Sequence, residues 1–124
     1  MSARLLVTGA GTGPGNNVIT SLRRGDPSLV VVGCHDDRFS IKKSVAEPNY
    51  LIPSAAHPSF IRALARIVAA EKIDLLIPTS DADVRAVSRH RTRIPCRVRK
   101  AAEGLSGRSL RAYPQVPAFA GIFD

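Results

Sequence analysis

Apolar residues arrive along this chain in two rhythms: short unbroken runs that stop at glycine or proline, and longer stretches spaced at helical intervals. Residues 3–8, Ala-Arg-Leu-Leu-Val-Thr, end at Gly9. A run with no polar side predicts a strand buried on both faces. Residues 29–34, Leu-Val-Val-Val-Gly-Cys, are largely β-branched and predict a central parallel strand. Tyr50-Leu51-Ile52, ended by Pro53, and residues 73–77, ended by Pro78, predict two shorter strands. Helical spacing is clearest over 58–71. There Phe60, Ile61, Leu64, Ile67 and Val68 share a face, Arg62 and Arg66 point away, and Pro58 suits the first turn. A second helix is predicted from Pro14 to Arg24, with Val18, Ile19 and Leu22 inward and Gly25 as its stop. A third covers 82–90, with Val84 and Val87 inward. Residues 35–48 are polar and irregular, with room for one helical turn.

The resulting order, β-α-β-loop-β-α-β-α, has crossovers long enough for parallel pairing, and such crossovers are right-handed almost without exception. It predicts a Rossmann-like, doubly wound α/β sheet in a single domain over residues 1–96. At 124 residues the chain has material for one core. Beyond Cys96 the periodicity fades. Residues 97–124, with Gly104, Gly107, Pro114, Pro117 and Gly121, read as an irregular basic tail.

Charge sharpens that boundary. The net charge is +8, but residues 1–88 hold ten Lys/Arg against eight Asp/Glu, whereas residues 89–124 hold eight against Glu103 and Asp124. The basicity belongs to the tail, and an Arg/Ala/Gly/Pro-rich run is what an altered reading frame yields in a GC-rich gene. The tail is therefore expected to be a truncated or frame-shifted end. No stretch approaches the ~20 apolar residues of a membrane span. Leu5-Leu6-Val7 is too short for a secretory apolar region, which makes a cytoplasmic location the expectation. Cys34 and Cys96 stand in no metal or redox spacing, and Cys34 reads as a small apolar residue ending a buried strand. His35, His57 and His90 share no metal spacing, so no metal site and no catalytic set is expected; His57 reads as a helix-entry residue.

Candidate binding chemistry concentrates at strand ends. Gly9, Gly11, Gly13 and Gly15 alternate between the first predicted strand and the helix that contains Asn16. Glycines there let backbone N–H groups approach an anion at a helix N-terminus; they also serve simply as a tight turn. Pro14 and Asn16 stand where the two possible dinucleotide fingerprints need glycine, and no Lys-Ser/Thr follows for a nucleoside-triphosphate loop. Asp36 follows the second strand, where an acid can take ribose hydroxyls, or merely sit in a solvated loop. Thr79, Ser80 and Asp81 follow the fourth strand at the edge where ligands collect. Ser80 or Asp81 also serves as an N-cap.

Taken together, Leu5–Arg23, Val31–Asp36, Asn49–Pro53, Phe60-Ile61 and Ile73–Asp81 resemble, in order and register, the opening of ATP-grasp proteins of the carbamoyl-phosphate-synthase large-subunit-like group. The resemblance spans about residues 4–95. It implies the pre-ATP-grasp domain, a Rossmann-like accessory unit on the substrate side of the cleft. In the full-length family, ATP and Mg are held by the ATP-grasp domains that follow, where a carboxylate is activated as an acyl phosphate. The chain alone is expected to carry no cofactor and no catalysis, to meet at most an anionic small molecule at its glycine loop, and to leave homodimerisation open through apolar surface. His35 and His57 stand where the family more often has acidic or small residues.

Two other classes stay open. A small NAD(P)-binding module of the reductase or epimerase type is suggested by Gly9–Gly15 with Asp36. Neither Tyr50 nor Tyr113 has a lysine four residues on, so the catalytic pair of such reductases is missing. A nucleic-acid-binding protein working through Arg89–Arg111 is suggested by the basic tail, without a recognised motif or interleaved aromatics.

Overall fold

The computed structural model describes residues 3–99. Five strands, β1 (Arg4–Thr8), β2 (Val30–His35), β3 (Asn49–Leu51), β4 (Leu75–Ile77) and β5 (Arg97–Val98), form one parallel sheet. Their order is β3-β2-β1-β4-β5. Helices α1 (Gly13–Gly25), α2 (Arg38–Ile41), α3 (Phe60–Ala70) and α4 (Asp81–Arg89) connect them. The chain winds outward from β1 through β2 to β3, then crosses back to build β4 and β5 on the other side. This is the expected Rossmann-like α/β arrangement.

Period-two alternation along each strand explains why the apolar runs are unbroken. Leu5 and Val7 of β1, Val31 of β2, and Leu75 and Ile77 of β4 face one way, onto Ile19 and Leu22 of α1. Leu6, Val32, Cys34 and Leu76 face the other way, onto Phe60, Ile61, Leu64, Ile67 and Val68 of α3 and Val87 of α4. Every residue of Leu5-Leu6-Val7 is fully buried, each contributing about 1.5–3 kcal/mol by leaving water. The sheet has no wet face at its centre.

The edges depart from the sequence expectation. Leu51 is 59% exposed, because β3 is an outer strand whose three residues read exposed, half-buried, exposed. α3 begins at Phe60, two residues after Pro58. A turn occupies 57–60 instead: Phe60 N–H donates to the His57 carbonyl at 3.1 Å, and Ser59 N–H donates to His57 Nδ1 at 3.0 Å. Val84 is only half-buried, so α4 rests on Val87. The sheet also gains a strand beyond Cys96. Arg99 N–H donates to the Leu76 carbonyl at 2.9 Å, and Val98 is fully buried beside it. One apolar residue between two arginines gives too little signal to read from the pattern. Residues 100–124, most of the expected basic tail and of the proposed nucleic-acid segment, lie outside the described residues.

Candidate functional site

The windings reverse direction between β1 and β4, and the loops leaving the carboxyl ends of those strands diverge. A cleft of about 530 Å³ opens there. Thr8, Gly9, Thr12 and Pro14 line it from the β1–α1 turn, and His35 and Asp36 from the end of β2. The segment after β3, Ile52 to Ala56, and Phe60 of α3 form an apolar wall. Thr79, Ser80, Ala82 and Asp83 close it from the β4–α4 turn.

Several polar groups at the rim have structural ties. Thr79 Oγ1 donates to the Thr8 carbonyl at 2.8 Å, and Thr79 N–H donates to Thr8 Oγ1 at 3.0 Å, so the two turns are clasped together. Thr12 caps α1: its hydroxyl accepts from Gly15 N–H at 3.1 Å and donates to the Gly9 carbonyl at 2.6 Å. Ser80 caps α4 by accepting from Asp83 N–H at 3.0 Å. Asp81 and Asp83 then lie in the first turn of α4, where their charge suits the helix N-terminus.

The glycine loop proves to be packed against its own surroundings. Gly11 has φ +96°, and a Cβ there would lie 1.7 Å from the Ser40 carbonyl oxygen. Gly15 meets the Gly9 carbonyl oxygen in the same way, at 2.0 Å. Asn16 brackets the loop. Its Oδ1 accepts from Gly11 N–H at 3.0 Å and from Val45 N–H at 3.3 Å, and its Nδ2 donates to the Lys43 carbonyl at 3.0 Å. Ala10 N–H is given to the Cys34 carbonyl, Thr12 N–H to Gly9, Asn16 N–H to Thr12, and Pro14 has none. From Ala10 through Asn16, Gly13 alone keeps an N–H with no described partner. A phosphate cradle uses several such donors at once.

Charge around the cleft is acidic. Asp36 is exposed and Asp83 half-buried, while no lysine or arginine is among the lining residues described. His35 Nδ1 lies 2.8 Å from Asp36 Oδ1 and 2.9 Å from Asp37 N–H. The first contact needs a proton on Nδ1 and the second a bare nitrogen, so they are alternatives. Asp37 caps α2; the amide of Phe39 first, and then Ser40, hold its carboxyl below the ordinary aspartate range. Cys34, beneath the cleft, is fully buried, and its thiol is pushed far above the usual range by desolvation and then by the Asp83 charge. It is chemically inert there. Cys96 is likewise free and pushed up to about 12, mainly by burial.

Of the residues singled out in the sequence, Gly9, Asp36, Thr79 and Ser80 meet at the cleft. Gly11, Gly13, Gly15 and Asn16 are not among its lining residues, and Asp81 sits exposed on the first turn of α4. Thr12 and Phe60 line the cleft as well. Thr12 carried a legible signal, a capping residue directly before a helix. Asp83 shares the strand-end signal of the segment after β4, and Ile52-Pro53 belong to a segment that bears the resemblance; Ser54–Ala56 carried no signal, because only the fold brings them to β1. Among the described residues no group of three or more His, Cys, Asp or Glu could hold a metal ion, and no helix is long and apolar enough to cross a membrane. No protein-family model matches the chain, and no curated protein matches it.

Proposed function

We propose that the chain is an accessory, ligand-holding domain of the pre-ATP-grasp kind, shaping one side of a substrate cleft without performing a chemical step itself. One observation carries the reading. All five segments that bear the resemblance supply residues to the same cleft: Thr8-Gly9, His35-Asp36, Ile52-Pro53, Phe60 and Thr79-Ser80. Strand ends of a doubly wound sheet meet at this edge, so the resemblance and the fold point to one and the same site.

Phosphates alone find no cationic partner here: they would face Asp36 and Asp83, with no lysine or arginine in the described lining. ATP then belongs to the ATP-grasp part of a full-length relative. A second reading, an NAD(P)-binding module, is favoured by Asp36, which lies one residue past β2 and lines the same cleft as Gly9. Against it stand the loop N–H groups already given to Thr12, Asn16 and Gly9.

Calorimetric titration of the full chain with NADH, NADPH and Mg-ATP, together with a phosphate-release assay, separates these readings. The accessory domain binds none of the three below millimolar concentration and releases no phosphate. Turnover of ATP overturns it, and sub-millimolar NAD(P)H binding installs the second reading.

A further inference from the structure

The described lining of the cleft sets acidic charge against an apolar wall, with no lysine or arginine, and that asymmetry selects its ligand. Two of its hydroxyl protons are turned inward, Thr12 onto the Gly9 carbonyl and Thr79 onto the Thr8 carbonyl. Among the described lining residues the charged ones, His35 apart, are Asp36 and Asp83. Asp83 makes no side-chain hydrogen bond to any described residue; only its backbone is engaged, at the Ser80 cap. Opposite these acids, Ile52, Pro53, Ala55 and Phe60 offer an apolar wall.

We infer that the cleft accepts a small molecule carrying a protonated amine on an apolar body, the amine turned to Asp36 and Asp83 and the body to Phe60 and Ile52. The inference deepens the accessory-domain reading by naming the class of molecule that its cleft holds. A primary ammonium brings three donors and a positive charge to a surface that supplies acceptors and negative charge. A phosphate or carboxylate brings the reverse of both. A neutral apolar molecule would leave the half-buried Asp83 carboxylate without a partner in a space it has dried, which is costly.

The test is a nuclear magnetic resonance titration of the full chain, following the amide signals of Ser80 and Ala82. The probes are phenethylamine, phenylpropionate and inorganic pyrophosphate. Phenethylamine is expected to shift both signals saturably, with phenylpropionate and pyrophosphate weaker by on the order of tenfold or more. Asp36→Asn and Asp83→Asn are each expected to weaken the amine by roughly threefold to tenfold. Asp81→Asn makes the same charge change on the same helical turn but outside the lining, and leaves amine binding unchanged. The amide spectrum of each variant reports that the fold is intact, and Asp36→Asn lies outside every helix should Asp83→Asn unsettle α4. Binding of pyrophosphate or phenylpropionate as tight as the amine overturns the inference. So does equal loss in all three variants, which would mark a diffuse charge effect. ATP turnover or NAD(P)H binding removes the accessory-domain reading without touching this outcome, and an amine bound no better than a carboxylate removes this inference alone.

Discussion

The hydroxyl of Thr79 donates to the carbonyl of Thr8 at the position where the sheet would otherwise use a backbone amide. Asp74 N–H donates to the Arg4 carbonyl at 2.7 Å, and Leu6 is paired with Leu76. In a parallel pair the donors recur every second residue, so the amide due opposite the Thr8 carbonyl belongs to residue 78. That residue is proline and has no N–H. Thr79 supplies the missing donor, and its own amide takes the Thr8 hydroxyl in return. Thr79→Val strands a buried carbonyl and is expected to cost about 1–3 kcal/mol. Thr79→Ser keeps the hydroxyl and should cost less than about 1 kcal/mol. Urea denaturation of the two variants side by side checks the difference.

Lys72 carries the opposite prediction, a gain. It sits just past α3 with φ 52°, the left-handed region that side chains disfavour. The geometry is a Schellman closure: Ile73 N–H reaches the Val68 carbonyl at 2.9 Å, and Lys72 N–H reaches the Ala69 carbonyl at 3.4 Å. Ile73 and Val68 also pack in the same apolar cluster, which holds the lysine in place. Lys72→Gly relieves the strain and should stabilise the domain by about 1 kcal/mol. For a domain of this size that raises Tm by roughly 4–8 °C in a calorimetric scan. Lys72→Ala should not.

Within the glycine loop, the same substitution is expected to have opposite signs two residues apart. Gly11→Ala forces a side chain into the Ser40 carbonyl at a positive φ and should cost at least about 1–3 kcal/mol. Gly13 opens α1, and an added Cβ meets nothing within 4 Å. Gly13→Ala therefore only trims the freedom of the unfolded chain, with a gain of about 0.4–1 kcal/mol. Thermal denaturation of both variants decides it. A loop kept for a bound anion at Gly13 would show the reverse cost only when that anion is present.

Asp37 sets an acid limit on α2. Its folded-state pKa is depressed, chiefly by the Phe39 amide, so the unfolded chain takes up this proton at higher pH than the folded one. The contribution to stability is then complete above the ordinary aspartate range and is lost as pH falls through the lowered value. The amide signals of Phe39 and Ser40 should move with a midpoint below that range, and Asp37→Asn should abolish the transition. A midpoint at or above the ordinary value contradicts the cap.

The layered core was legible because its message is local. Leu5-Leu6-Val7 and Val31-Val32 can be nothing but strands covered on both sides, and the Phe60–Val68 spacing can be only a helix lying on them. Of the edge strands, β3 was legible from Tyr50-Leu51-Ile52 to within one residue, while β5 hid, because Val98 stands alone between arginines and writes no pattern. The site was half legible. Gly9, Asp36, Thr79 and Ser80 could be placed because strand ends in this architecture meet at one edge. What could not be read was the direction of each hydrogen bond. Four alternating glycines look alike in sequence whether their amides face a ligand or Asn16, and only the bracket from Asn16 to Val45 and Lys43 tells the two apart.

The pairing of Leu5 with Leu75 has a bearing on how the molecule comes into being. One of the two neighbours of the central strand is made seventy residues after it. Pairings so distant in sequence close slowly, because a long loop must be ordered before any contact rewards it. A nascent chain that already displays Leu5-Leu6-Val7 therefore carries an open, adhesive edge until β4 emerges, and the interval in which it needs shelter is set by synthesis rather than by chemistry.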